Sequence, residues 1–398
     1  MEQSWRWFGP DDVVPLRAIR QAGARGVVTA LHQIPYGVVW SEEEIRKRQG
    51  LIEADPEMGL HWNVVESLPI HERIKLDEGD QTELYDNYRA SMRNLAACGI
   101  KTICYNFMPV VDWTRTTLYQ PLPGGGRALR FEAYQYAAFD CFMLRRPGAE
   151  EEHGAALVAR AKKWFDAAPQ SDKDTLLSSI MAGLPGAFDR YDIPALRNML
   201  ERYKGVTPAI LRERLVKFLR EVIPLADELG MRFAIHPDDP PRSLMGLPRI
   251  VSSAEDFRYM AAAVPSLANG ITLCTGSLGA GAQNDIPAIA GEFAERIHFV
   301  HLRNVAKEAD GSFQEAEHLG GDTDMVKVVE TLLREQKRRQ EAGRADWRMP
   351  MRPDHGHELL DDINKGSFPG YSAIGRLKGL AEIRGLMVAI SQLEKLPL

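Results

Sequence analysis

The rhythm of this chain constrains its fold more than any other feature. Short apolar runs alternate with longer segments of helical period along nearly the whole sequence. Eight runs read as strands, at residues 5–8, 26–30, 60–65, 102–106, 232–235, 271–274, 297–301 and 349–352. Helix-period segments lie between most of them, at 42–53, 83–97, 209–229, 255–263, 285–293 and 322–339, with a last one at 374–393. Ser41, Thr207 and Asp322 stand at helix starts, where a side-chain oxygen accepts from free backbone N–H groups. Strands that alternate with helices form a parallel sheet with the helices outside it. Eight such units predict an α/β fold of the closed (β/α)8 TIM-barrel type. The open doubly wound sheet loses its main support, because no GxGxxG follows the first strand.

One stretch breaks the rhythm. Residues 109–206 carry PLPGGG at 121–126, an aromatic cluster (Phe131, Tyr134, Tyr136, Phe139) and a charged helical run at 150–165. Connections of this length are commonly functional, so 109–206 is expected as a lid or small subdomain after the fourth strand. A peripheral dimer contact is the alternative. The expectation is one catalytic domain over residues 1–398, with this insertion inside it.

Composition narrows the partners. The net charge is −6 with no basic block, which excludes a nucleic-acid scaffold. No apolar run approaches the roughly 18 residues of a membrane span, and the first ten residues lack a signal pattern. The four cysteines form no CxxC, which points to a reducing, cytoplasmic setting.

In a TIM barrel, chemistry gathers at the C-terminal ends of strands. Four late runs end on metal-ligand types: His236, Cys274, His301 and Asp354. Singly, each has an ordinary reading as a rim histidine, a small buried thiol or a helix cap. Four at equivalent positions are harder to dismiss, and two imidazoles, a thiolate and a carboxylate suit a divalent transition metal. Donor type alone leaves zinc, iron(II) and manganese(II) open. His355 adjoins Asp354, and Tyr371 ends a Gly/Pro loop before the last helix, so both are acid–base candidates, though Tyr371 on sequence alone reads better as an aromatic packed on the surface at a helix start. His32 is a rim candidate for substrate contact. His298 alternates against His301 and reads as structural, and His318 as part of a simple turn.

At these positions the sequence resembles the mannonate dehydratase family, over nearly its whole length. The strings that carry the resemblance are WRWFGP at 5–10, HQIPYG at 32–37, WNVVES at 62–67, YNFMPVVDW at 105–113 and AIHPDDPP at 234–241. LCTGS at 273–277, HLRN at 301–304, HLGGD at 318–322 and RPDHGH at 352–357 continue it. The resemblance implies a xylose-isomerase-like barrel and a hydro-lyase of hexuronate (glucuronate) catabolism. Such an enzyme takes water from D-mannonate to give 2-keto-3-deoxy-D-gluconate, with Mn2+ or Fe2+. It implies His236, Cys274, His301 and Asp354 as metal ligands and His355 with Tyr371 as the acid–base pair. A polyhydroxy acid also needs recognition, for which His32, Arg303, Asn304 and Arg352 are candidates; a structural salt bridge is an equal reading for each arginine. A homo-oligomer is expected. The rivals are a metal-dependent sugar isomerase or epimerase on the same barrel, and a non-catalytic sugar-acid-binding protein.

Overall fold

A computed structural model describes residues 1–183 and 191–398. Eight parallel strands close a barrel: β1 (Glu2–Arg6), β2 (Gly26–Thr29), β3 (His61–Glu66), β4 (Thr102–Tyr105), β7 (Arg232–Ile235), β8 (Asn269–Cys274), β9 (Ile297–Leu302) and β12 (Pro350–Pro353). The α/β TIM barrel expected from the sequence is therefore the observed fold. The first strand starts three residues earlier than the aromatic run suggested. Its ladder pairs Ser4, Trp5 and Arg6 with Gly26, Val27 and Val28, and Trp7 and Phe8 are buried just beyond the strand. Aromatic patterning marks burial there, not pairing.

Alternation along the strands sorts the side chains. Val27, Val65, Ile103, Phe233, Ile271 and Val300 join the large apolar core shared with the helices. Val28, Val64, Cys104, Ala234 and Phe299 form a separate buried cluster that plugs the barrel interior. Two residues on from Val64, Ala234 and Phe299 stand Glu66, His236 and His301, and Cys274 stands two on from buried Thr272. Side chains two apart share a face, so the polar residues lie one layer above the apolar plug, at the strands' C-terminal ends.

The helices begin where capping chemistry allows. Ser41 accepts from Glu44 N ahead of Glu42–Ile52, and Thr207 accepts from Ile210 N ahead of Pro208–Glu228. The helix Met325–Glu341 is capped by Asp324, not by Asp322. Asp322 instead accepts from Lys307 N at 2.8 Å, so its carboxylate serves the preceding loop. Among the described residues, no helix is long and apolar enough to cross a membrane.

The insertion supplies half of a second sheet. Strands β5 (Thr117–Pro121) and β6 (Arg127–Phe131) join β10 (Val305–Lys307) and β11 (Phe313–Glu315) in the antiparallel order β10-β11-β6-β5. Helices follow at Ala133–Ala138, Ala149–His153, Ala155–Ala167, Gln170–Ile180 and Ile193–Arg202, and residues 184–190 lie outside the described residues. A second apolar cluster, including Phe131, Tyr136, Phe139, Leu176, Leu196 and Phe313, holds this unit together.

Candidate active site

His236, Cys274 and His301 each offer a donor atom, and these atoms lie within 4.8 Å of one another. Asp354 joins them: its Oδ2 is 3.8 Å from Cys274 Sγ. His236 Nδ1 lies 2.7 Å from the Pro237 carbonyl oxygen. A carbonyl only accepts, so Nδ1 carries the hydrogen and Nε2 keeps its lone pair, the usual device for orienting a metal-binding imidazole. Burial lowers the pKa of His236 and favours this neutral form. His301 Nε2 is buried with no hydrogen-bond partner among the described residues. Its neighbour at that nitrogen is the Glu66 carboxylate, 3.6 Å away and beyond hydrogen-bond length. Burial would raise Asp354, but Arg352, then His355, His301 and Arg303, hold it well below the usual carboxylate range. These residues fit a divalent transition metal in donor type.

A second trio, Glu66, Cys104 and His301, also converges within 4.8 Å. Its Glu66 is committed to Arg6 at 2.7 Å and to Arg352 at 2.8 and 3.0 Å. Burial drives its Cys104 thiol far above the ordinary thiol range. It is the poorer ligand set.

His355 and Tyr371 stand edge to face, ring centroids 5.3 Å apart at 84°. The Tyr371 hydroxyl is 3.5 Å from Asp354 Oδ1. Burial, then Asp354, push the Tyr371 phenol well above its ordinary value. Arg376 fixes the Tyr371 backbone, since it donates to the carbonyls of Tyr371 and Arg6, both at 2.8 Å. The next helix, Ala373–Glu394, is anchored by Asp362, whose carboxylate accepts from the amides of Ala373, Ile374 and Gly375.

Two adjoining spaces border the site. A cavity of about 30 Å³ is lined by Glu66, His236, Arg352, Asp354, His355 and Tyr371, among others. A larger one of about 480 Å³ is lined by Arg6, His32, Trp40 and Lys75, among others. Both touch Ser67, Asn106, Met108 and Asp112, so the two adjoin along these residues. His32 faces the larger space, and burial, then Arg6 and Arg48, lower its pKa to about 3, which keeps it neutral.

The other expected substrate contacts also hold partners within the protein, and Arg352 lines the smaller cavity as well. Arg352 bridges Glu66 and Asp354, the latter at 2.5 Å. Arg303 donates to Glu315 and Asp239, both at 2.7 Å. Both arginines hold the protein's own carboxylates. Asn304 donates to the carbonyls of His318 and Thr323 and accepts from the amides of Val305 and Thr323. Its amide clamps this loop with all four of its hydrogen-bonding positions. His298 lies at 2.7 Å from the Leu267 carbonyl oxygen, outside the site, as its alternation implied.

Sequence reasoning missed Glu66, Asp239, Glu315, Arg6 and Arg115. Glu66 had a signal, because it closes β3 just as His301 nearly closes β9. Glu315 and Arg115 had none, since neither ends a barrel strand.

A family model described as D-mannonate dehydratase (UxuA) matches residues 1–396. The mannonate dehydratase of Chromohalobacter salexigens is 52% identical over 394 residues, covering 99% of this chain and 100% of that protein. That of Marinomonas sp. is 52% identical over 391 residues, covering 98% and 99%. The crystal structure of mannonate dehydratase from Streptococcus suis serotype 2 superposes with a TM-score of 0.77 at 33% identity, covering 99% of this chain and 96% of that one. With a match from end to end at half identity and the same barrel, the chain belongs to the mannonate dehydratase family.

Proposed function

We propose that this chain removes water from D-mannonate to give 2-keto-3-deoxy-D-gluconate, as a hydro-lyase of hexuronate catabolism. The observation that carries the reading is a juxtaposition. His236 and Asp354, two of four converging metal-type donors, line one small cavity with the two proton-transfer groups His355 and Tyr371, in a chain half identical to mannonate dehydratases along its length.

In this reading His236, Cys274, His301 and Asp354 hold a divalent ion, Mn2+ or Fe2+. When bound, that ion supplies Lewis-acid stabilisation of the negative charge developing beside the substrate carboxylate. The chain's own groups handle the protons. The C2 proton is weakly acidic and hydroxide leaves C3 poorly, so one group must accept a proton and another must donate one. His355 and Tyr371 stand together at the cavity wall for these two transfers, each worth on the order of 10²–10⁴-fold. Neutral His32, facing the larger space, both donates and accepts hydrogen bonds and suits a substrate hydroxyl. Phe8 packs on Tyr371 and Phe368 at centroid distances of 4.9 and 4.5 Å and screens that side of the site from water. The unpaired thiols of Cys98, Cys104, Cys141 and Cys274 support a cytoplasmic location.

The test is a product assay on chelator-stripped protein restored with manganese(II) or iron(II). Formation of a keto-deoxy acid from D-mannonate supports the reading. Conversion to an isomeric sugar acid without loss of water overturns it in favour of an isomerase, and bound substrate that is never turned over shows a binding protein.

A further inference from the structure

Glu315 closes β11, outside the barrel, yet its carboxylate reaches the barrel mouth. Oε1 lies 3.0 Å from His355 Nδ1, and Oε2 accepts from Arg303 Nε at 2.7 Å. Arg115, from the insertion, donates to Glu315 Oε1 at 3.2 Å. The same guanidinium grips Asp239 at 2.8 and 3.1 Å, and Arg303 holds Asp239 at 2.7 Å. Two guanidiniums and two carboxylates thus close a neutral ring whose side chains are all at most 3% exposed. Such a ring adds little net stability, because desolvation offsets much of its attraction. What it does provide is a carboxylate held rigidly against one ring nitrogen of His355.

Burial would raise Glu315, but Arg303, His355 and Arg115 hold it at about 2, so it is ionised at neutral pH. An ionised carboxylate only accepts. His355 Nδ1 must therefore carry the hydrogen, which leaves Nε2 as the nitrogen able to exchange a proton with the cavity. The insertion also supports the ring itself. Trp113 stands edge-on to His355 at 5.8 Å, and Arg115 lies over the Trp113 ring at 5.1 Å.

We infer that Glu315 is a positioning residue for the dehydration: from the small sheet it fixes the orientation and tautomer of His355, and Arg115 of the insertion holds it there. This rests on the reading of His355 as a proton-transfer group. It gives the long excursion after the fourth strand a role, as the wall that orients a catalytic imidazole.

The test uses the full chain. Glu315→Gln removes the charge and keeps the shape. The pair Arg115→Met with Glu315→Gln also removes one cation, so Arg303 and Asp239 remain a balanced pair. With manganese(II), kcat on D-mannonate should fall about 10²-fold or more in both, the order of loss a mis-set imidazole brings. KM should move less than about threefold, since the binding cavity is untouched. Bound metal should match wild type. In a His355→Asn background, Glu315→Gln should cost less than about threefold more, because the carboxylate acts through His355; a purely structural role costs the same factor in both backgrounds. Nitrogen-15 spectra of histidine-labelled, metal-free wild type should show His355 with its hydrogen on Nδ1. An Nε2–H form of His355 overturns the inference. So do a wild-type kcat in the charge-balanced variant and equal losses in the two backgrounds. A wild-type protein that leaves D-mannonate unchanged overturns the proposed function instead, and the nitrogen spectrum still decides Glu315.

Discussion

Acid should destabilise this protein well above the pH at which its carboxylates protonate. Besides His236, three histidines are lowered furthest by burial: His32 and His298, each to about 3, and His318, to about 4. Burial is the largest cause in each case, and nearby cations such as Arg6 for His32 and Arg339 for His298 add to it. Unfolding restores the ordinary imidazole value of roughly 6.5. Between that value and the folded ones, the unfolded chain binds more protons, so stability falls as pH falls. From pH 7.5 to 5.5 each imidazole costs about 1.4 kcal/mol and the three together about 4 kcal/mol, against a typical total of about 5–15. The Met1 amino group, lowered to about 5 mainly by burial, acts in the same direction. His61, raised by its bond to Glu2, acts in the opposite direction but is half exposed and counts for less. The depressed carboxylates Glu66, Asp239, Glu315 and Asp354 contribute only below this window. The measurement is urea unfolding of metal-free protein at constant ionic strength, at half-unit steps of pH. His318→Met isolates one term, because methionine fills the space against Gly379 without a titrating group. It should reduce the slope between pH 6 and 5 by about 1 kcal/mol per unit. A wild-type stability that stays flat from pH 7.5 to 5.5, or a slope unchanged in His318→Met, would refute the reasoning.

Cys274→Ser should weaken metal retention at least about tenfold, because a serine hydroxyl is not deprotonated as a thiol ligand is; titration with manganese(II) checks this, and an unchanged dissociation constant removes Cys274 from the ligand set. His355→Asn and Tyr371→Phe should each lower kcat by about 10²–10⁴-fold with metal content near wild type, and normal turnover in either variant removes that residue from proton transfer. Asn304→Ala should destabilise the fold by about 2–4 kcal/mol, because it strips hydrogen bonds from four buried backbone groups; a shift in urea unfolding below about 1 kcal/mol contradicts the clamp.

The residues that could be read from the sequence are those fixed by a strand's own period. His236, Cys274 and His301 each continue or close a run whose alternation is local, so position and facing follow from the neighbouring few residues. Glu66 obeys the same rule, but an acidic residue at a strand end is common enough to pass unnoticed. The first strand and the Asp324 cap were misplaced by two or three residues, because aromatic burial and paired aspartates do not say which neighbour completes a ladder or a turn. The carboxylates around the site are a different kind of information. Arg115 meets Glu315 across 200 positions, and Arg352 meets Glu66 across 286. Before the barrel closes, an arginine beside a ligand looks the same whether its partner is a substrate's carboxylate or the protein's own. Arg303 and Arg352 were ambiguous for that reason. Closure pairs both with internal acids, while His32 faces the larger space, and the arginines hold Asp354 and Glu315 where they are needed.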